Sequence, residues 1–453
     1  MNSLIRFPRF APTRVIIFGY LIIVLIGGLL LSLPVSASDK GNPACFVDAL
    51  FTATSATCVT GLIVKDTPRD WSPFGKTVIL LLIQIGGLGY MTIGTTIVLL
   101  TGRKLSLRQR LIMKEALNIL TVEGLTRFVL SILLVTFIVE SLGTLILTLR
   151  FARDFPLSSA FLQGLFHSVS AFNNAGFSLF STNFMGYRGD LLVTLTITAL
   201  IVTGGIGFIV INELYRLRCR KIRQLSVHAK TVLTITGILI LAGTIAILLL
   251  EWSNPLTLKN LSWKEKILAS YFQAVTPRTA GFNTLDIGAL NPATLLSIIA
   301  LMLIGASPGG TGGGIKTSTF AAMIKSLATV LRGKGDVVVF RRRLSSDIVL
   351  KSFIIGLIAL LVLIAMTGIL IIIEKKDLLS TTFEVASALG TVGLSTGDGG
   401  VRSLAAIFSN SGKIILITTM LIGRAGLLTA GLALMKTPPP AAYRHPEGKI
   451  IIG

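Results

Sequence analysis

Four short phrases in this 453-residue chain end in a glycine preceded by small or polar residues. Thr54–Gly61 reads TSATCVTG, Ser170–Gly176 reads SAFNNAG, Gln273–Gly281 reads QAVTPRTAG and Ser387–Gly393 reads SALGTVG. The closing glycines, Gly61, Gly176, Gly281 and Gly393, are 115, 105 and 112 residues apart. Internal repeats of this kind set architecture before local detail does. A cation crossing a membrane must have its water shell replaced, and rings of backbone carbonyls do this without a fixed charge. Glycine adopts positive φ at no steric cost, so successive carbonyls can face one way. The predicted walls of such a filter are Val59-Thr60-Gly61, Asn174-Ala175-Gly176, Thr279-Ala280-Gly281 and Thr391-Val392-Gly393. Each preceding pore helix directs its negative C-terminal end at the pathway, which favours a cation.

A second stretch, Ala306–Thr319, reads ASPGGTGGGIKTST in the middle of an apolar run. Gly309, Gly310, Gly312, Gly313 and Gly314 disfavour a helix by about 1 kcal/mol each relative to alanine. Pro308 adds a break. Backbone opened at that depth must line a cavity or be buried in protein. The predicted element is an intramembrane loop beneath the filter, acting as a gate through Gly309, Gly310, Thr311, Gly312, Gly313, Gly314 and Lys316. A nucleotide-binding P-loop needs adjacent Gly-Lys-Ser/Thr after a strand. Here Ile315 separates Gly314 from Lys316.

Arg424 lies inside the last apolar run, where a charge is costly and a functional candidate by default. A positive charge there, below a cation filter, would set a barrier and favour quick exit; the alternatives are snorkelling or a salt bridge between helices. Lys316 is a similar case, although its stem allows it to reach toward the cytoplasm. Glu140 is read as a buried hydrogen-bonding residue or a functional one, Glu213 as a surface residue and His167 as a packed histidine. Cys45, Cys58 and Cys219 are too scattered for a disulfide framework or metal site.

These residues are positioned by a polytopic helical membrane protein. Mean hydropathy is +0.81. Charged residues are only 14% of the chain. Runs such as Val15–Leu33, Phe128–Leu149, Val232–Leu250 and Phe353–Ile373 approach or exceed the roughly 20 residues a span needs. The first run follows basic residues and precedes Val35-Ser36-Ala37, like a signal peptide. It is longer than a usual apolar signal core and is read as a retained helix.

The net charge of +22 does not imply nucleic acid. Segments 1–14, 102–127, 216–230, 332–351 and 436–453 hold 24 Lys/Arg against 5 acids. The intervening segments 35–76, 150–190, 251–290 and 374–413 hold 15 against 13. That asymmetry is the positive-inside pattern, with both termini cytoplasmic. The basic loops also suit anionic lipid.

The predicted organisation is four helix–pore loop–helix repeats around one central pore: 1–114, 115–225, 226–340 with the loop 306–319, and 341–436. A tail, 437–453, follows. The pore helices are expected at Phe46–Ala56, Ser158–Phe172, Trp263–Val275 and Leu378–Leu389. The second helices of the repeats are expected at Phe74–Thr101, Asp190–Tyr215, Pro292–Leu331 and Ser409–Lys436, with only the third interrupted. The Pro-rich tail with its Ile450–Ile452 tip is read as disordered or docked at a subunit interface.

The four loops, with Gly309–Lys316 and the C-terminal Tyr443–Gly453, resemble the Trk/Ktr/HKT superfamily of potassium transporters, and among them the Ktr membrane subunits. The resemblance covers essentially the whole chain. It implies a potassium-channel-like fold, potassium as the transported ion at the filter residues, sodium as an activator and no cofactor in this chain. It further implies a homodimer with one pore per protomer, in a bacterial cytoplasmic membrane. The expected partner is a cytosolic RCK-type nucleotide-binding subunit, docking on Arg341-Arg342-Arg343 and the 102–114 and 216–223 loops. The TVGYG of tetrameric channels is absent, while Gly61 agrees with the potassium-conducting relatives. The alternatives are an ion-coupled secondary transporter, which uses inverted repeats and paired broken helices, and a less selective sodium/potassium pore. A membrane enzyme would need converging acids, histidines or metal ligands, which the sequence does not assemble.

Overall fold

The computed structural model describes residues 12–39, 41, 43–89, 92, 125–398 and 401–426. The predicted 102–114 loop, the parts of the expected helices Phe74–Thr101 and Ser409–Lys436 beyond Gly89 and Gly426 (residue 92 apart), and the tail lie outside these residues. Among the described residues are fifteen α-helices and one two-stranded hairpin, Val338–Val339 with Arg342–Arg343.

Each repeat is an outer helix, a short pore helix, an extended glycine strand and an inner helix. The outer helices are Pro12–Ser32, Leu125–Phe151, Val227–Glu251 and Ser346–Glu374. The pore helices are Phe46–Thr57, Leu157–Phe172, Trp263–Val275 and Leu378–Gly390. The inner helices begin at Pro73, Leu191, Pro292 and Asn410. The last three outer helices are long and apolar enough to cross a membrane individually. Their outward faces carry Phe137, Leu149, Leu241, Leu249, Ile364 and Ile372, all exposed, as lipid-facing surfaces should.

The pore helices hold the core. Each carries Phe-x-x-x-Ser/Thr at one register: Phe51 to Ser55, Phe166 to Ser170, Phe272 to Thr276 and Phe383 to Ser387. All four phenylalanines are buried. Four residues on, the hydroxyl reaches the glycine strand.

The hairpins close in a repeated way at the opposite end. The N-cap of every inner helix is tied to the end of its own repeat's outer helix or the turn just after it. Ser72 Oγ donates to the Val35 carbonyl at 2.6 Å. Asp190 accepts from the Arg150 guanidinium. The Asn291 N–H donates to Glu251 Oε1 at 2.9 Å, and Ser409 Oγ donates to Glu374 Oε1 at 2.5 Å. Trp252 and Trp263 pack with ring centroids 4.9 Å apart at this end, beneath the Lys266 ammonium, as interfacial aromatics do.

The inner helices differ from the sequence expectation. Asp190–Tyr215 is not one helix. It breaks into Leu191–Gly205 and Phe208–Arg218, bent by 102°, with Gly207 at φ 92°. The first inner helix ends at Gly89, φ 80°, and the fourth at Gly426, φ 90°. Among the described residues, a broken inner helix is therefore found in the second repeat as well as the third. The shared motif is Gly86-Gly87-Leu88-Gly89, Gly204-Gly205-Ile206-Gly207 and Gly423-Arg424-Ala425-Gly426. A Cβ on Gly86, Gly204 or Gly423 would strike the carbonyl oxygen of Thr57, Phe172 or Leu389, four residues before Gly61, Gly176 and Gly393. These glycines let the inner helices lie directly against the ends of the pore helices.

Gly204→Ala is expected to cost about 1–3 kcal/mol by overpacking. Gly368, with open space around its Cβ position, should tolerate alanine with a gain of about 0.4–1 kcal/mol. Thermal unfolding of the detergent-purified protein checks the pair: the first midpoint falls and the second does not.

Candidate functional site

Each glycine strand starts as the cap of its pore helix. Val59, Asn174, Thr279 and Thr391 all have positive φ, 50°, 59°, 70° and 52°. Left-handed backbone is rare for β-branched residues such as Val59, Thr279 and Thr391. In repeats one, two and four the geometry is a Schellman cap. The N–H groups of Val59, Asn174 and Thr391 reach back three residues, at 3.1, 3.1 and 3.2 Å, and those of Thr60, Ala175 and Val392 reach back five, at 2.7, 2.8 and 2.8 Å. Repeat three is one residue tighter: the Ala280 N–H donates to the Thr276 carbonyl at 2.9 Å. The glycines that follow are again left-handed, with φ 94°, 72°, 74° and 92° for Gly61, Gly176, Gly281 and Gly393. A left-handed residue, one ordinary residue and a left-handed glycine turn the intervening carbonyls to one side.

Those carbonyls form a closed ring. A Cβ on Gly61 would lie 2.6 Å from Ala175 O, one on Gly176 2.8 Å from Ala280 O, and one on Gly281 2.6 Å from Val392 O. One on Gly393 would strike Thr60 O. Each glycine thus faces the carbonyl of the next repeat, in the order one, two, three, four and back to one. All twelve predicted wall residues are buried, and the four strands meet on one axis.

Pore-helix side chains brace the strands. Ser55 and Ser387 accept from the N–H of Gly61 and Gly393, both at 3.0 Å. Ser170 and Thr276 instead donate to the carbonyls of Phe177 and Phe282, at 2.8 and 2.6 Å. His167 is packed, as its sequence position suggested, and also holds the outgoing strand: Nε2 meets Ser178 Oγ at 3.0 Å. Glu384 occupies the same register in repeat four, accepting from Ser395 Oγ at 2.6 Å and from the Ala405 N–H at 3.0 Å. Both stand nine residues before their glycine and bind the serine two residues after it. That spacing was a readable signal for Glu384, which sequence reasoning passed over.

On the outer side of the ring is a cavity of about 170 Å³ lined by the four glycines, Asp66, Ser181, Asn283, Asp286 and Arg402, among others. Asp66 accepts from Ser181 Oγ at 2.7 Å and lies 3.6 Å from the Arg69 guanidinium. Burial pushes its carboxyl above the ordinary aspartate value, with the Ser181 hydroxyl opposing.

On the inner side lies the glycine-rich loop, between the helices Pro292–Leu303 and Thr317–Leu331. Thr311 Oγ1 donates to the Phe172 carbonyl at 3.2 Å, and the Gly313 N–H to Thr391 Oγ1 at 3.1 Å. The N–H groups of Ser307 and Thr311 donate to the carbonyls of Gly205 and Gly204, at 2.9 and 3.1 Å. The Gly309 carbonyl accepts from the Phe208 N–H at 3.0 Å. The broken second inner helix thus pairs its opened backbone with the broken third. Lys316 turns back into the loop: its Nζ donates to the Gly312 carbonyl at 2.7 Å. Arg424 donates to the carbonyls of Thr311 and Gly86, joining the loop to the first inner helix. The predicted loop and pore-charge residues are therefore brought together under the ring. Glu213 caps the next helix, accepting from Ser226 N–H and Oγ at 2.9 Å each. The three cysteines are unpaired, and no cluster of metal-ligating side chains occurs among the described residues.

Known proteins are similar to this chain in sequence and fold. The chain is 41% identical over 452 residues to the Ktr system potassium uptake protein B of Bacillus subtilis, covering 100% of this chain and 99% of that one. It is 39% identical to the protein of the same name from Vibrio alginolyticus, covering 97% and 94%. It is 34% identical to the potassium/sodium uptake protein NtpJ of Enterococcus hirae, covering 98% of each. The crystal structure of the potassium transporter TrkH from Vibrio parahaemolyticus has the same fold, with a TM-score of 0.71 at 18% identity, covering 96% of this chain and 87% of that one. The family model for TrkH, cation transport protein, matches residues 12–445, and with these full-length relatives it shows that the chain is a multi-pass membrane protein of the TrkH family of cation transport proteins and not an enzyme.

Proposed function

We propose that this chain is the pore-forming subunit of a potassium uptake system. The observation that carries the reading is the closed ring in which each repeat's glycine faces the next repeat's carbonyl. Thr60, Ala175, Ala280 and Val392 supply that ring, and the residues on either side supply the neighbouring oxygens. Potassium sheds its water against these carbonyls and moves down its electrochemical gradient. The names of full-length relatives at 34–41% identity support potassium as the cargo. The mixed wall residues and the potassium/sodium name of one relative favour, as a second reading, a pore that also passes sodium.

The loop at Gly309–Gly314 is the gate. It lies across the inner side of the ring and is held by backbone and hydroxyl hydrogen bonds plus the Lys316 and Arg424 contacts, a balance a small rearrangement can tip. Arg424 latches the loop to the first repeat and places a positive charge under the filter, which hastens ion exit. The exposed hairpin around Arg341-Arg342-Arg343 suits an acidic face on a cytosolic RCK-type subunit. The same reading has the protein work as a homodimer in a bacterial cytoplasmic membrane, both termini inside, with sodium as an activator and no cofactor in this chain.

Three outcomes are expected in cells lacking their own potassium uptake and supplied with a Ktr-type cytosolic subunit. Gly61→Ser places a side chain where φ is 94° and the Ala175 oxygen is 2.6 Å away. It should lower discrimination against sodium by about tenfold or more, the effect of roughly 1.4 kcal/mol. Uptake indifferent to Gly61 would contradict the filter. Arg424→Ala removes two charge-assisted bonds, each typically about 1.5–3 kcal/mol, and should raise uptake in the absence of the cytosolic subunit about tenfold. Unchanged basal uptake would contradict the latch. Asp66 keeps its charge only above its raised pKa. As pH falls, wild-type uptake should decline above the ordinary aspartate value of about 3.9, and Asp66→Asn should remove that limb and weaken apparent potassium affinity a few-fold at neutral pH.

A further inference from the structure

The second wall has a support that the other three lack. Asn173 immediately precedes the left-handed Asn174 and is fully buried. Its Nδ2 donates to Glu140 Oε1 at 3.0 Å and to Gln84 Oε1 at 2.9 Å, and lies 2.9 Å from the Val169 carbonyl. Gln84 Nε2 donates to Glu140 Oε2 at 3.3 Å. The three side chains come from the first inner helix, the second outer helix and the end of the second pore helix. The Glu140 carbonyl accepts from Ser168 Oγ at 2.8 Å and Thr144 Oγ1 at 2.7 Å, which fixes the backbone from which the carboxylate projects. Gly87 presses on the amide: a Cβ there would lie 2.6 Å from Asn173 Cγ. The equivalent residues in the other walls are Cys58, Arg278 and Gly390, and among the described residues none of them has a hydrogen-bonded carboxylate partner.

The sign of each hydrogen bond matters. Both Glu140 carboxyl oxygens accept an amide N–H, Oε1 from Asn173 and Oε2 from Gln84. With both acceptors in place, the Gln84 amide must turn its oxygen to Asn173 and the Asn173 amide must turn its nitrogen inward. A neutral amide at position 140 would offer an N–H where an acceptor is needed, and one of the two partners would flip. The effect reaches the ring, since Asn174 follows directly. Asn174 Nδ2 in turn donates to Thr279 Oγ1 at 3.1 Å and to the Arg278 carbonyl at 3.3 Å, in wall three. One polar chain therefore runs from Glu140 through wall two to wall three. In such a chain an unpaired buried partner is costly.

We propose that Glu140 is a positioning residue for the second filter wall: its carboxylate orients the Asn173 amide, directly and through Gln84, and discrimination between potassium and sodium depends on that orientation. The inference rests on the filter reading above. It is tested by potassium uptake against sodium competition, normalised to protein in the membrane, for Glu140→Gln, for the exchange Gln84→Glu with Glu140→Gln, and for Gly61→Ser beside them. Glu140→Gln should lose about tenfold in discrimination. The exchange returns a carboxylate to the triangle and should recover most of it, which a purely structural role would not require. If Glu140→Gln fails to reach the membrane, Gln84→Met is read in its place and should lose about threefold. Gly61→Ser impaired with every triangle variant at wild-type discrimination would overturn the role of Glu140 alone. A single-variant loss with no recovery in the exchange would also overturn it. Indifference of Gly61→Ser and the triangle variants alike would instead sink the filter reading.

Discussion

Four short strands must hold bare carbonyls toward one axis at the depth of a membrane, and the rest of this structure depends on that constraint. The geometry requires left-handed backbone at Val59, Asn174, Thr279 and Thr391. For L-residues such backbone costs about 1–2 kcal/mol at each position. The strain persists only where surroundings over-determine it. Here the Schellman caps, the hydroxyls at Ser55, Ser170, Thr276 and Ser387, and the outer clamps at His167 and Glu384 do so. The glycines then complete the turn and leave room for the neighbouring carbonyl.

The inner helices answer the same constraint from below. Gly86, Gly204 and Gly423 admit the last carbonyls of the pore helices. A helix glycine is then followed, three residues on, by a left-handed one that ends the helix under the ring. In the third repeat the corresponding region expands into the loop of Gly309–Gly314, and the freed backbone of the second inner helix pairs with it. The fourfold plan is thereby broken at the proposed gate. The third repeat supplies the loop, the second a paired backbone edge, and the fourth Arg424, whose guanidinium bonds both the loop and the first inner helix.

Much of this was legible in the sequence because its signals are local and recur. The four glycine phrases sit at near-equal spacing, and the pore helices run too short to span, so walls and pore helices could be placed to within a residue or two. The glycine-rich loop and Arg424 stood out by chemistry against an apolar background. The break at Gly207 did not, because Leu191–Ile211 is continuously apolar and two neighbouring glycines are tolerated in membrane helices. The motif at Gly86, Gly204 and Gly423 was present 25, 28 and 30 residues after the filter glycines, but its meaning lies in carbonyls that approach from another element. Glu140, Gln84 and Asn173 belong to three elements, and nothing local joins them. Lys316 was placed with the loop, but its long stem left an outward reach open, and the carbonyl that it holds becomes visible only in the structure.

The central claim is that the ion pathway runs through the ring formed by Thr60, Ala175, Ala280 and Val392. Crystals of the protein grown in thallium or rubidium salts, with anomalous scattering recorded, test it most directly. The account expects anomalous peaks on the common axis of the four strands, at carbonyl distance from these residues, and their loss in Gly61→Ser crystals. Peaks confined to other cavities, with the axis empty in wild-type protein, would contradict it.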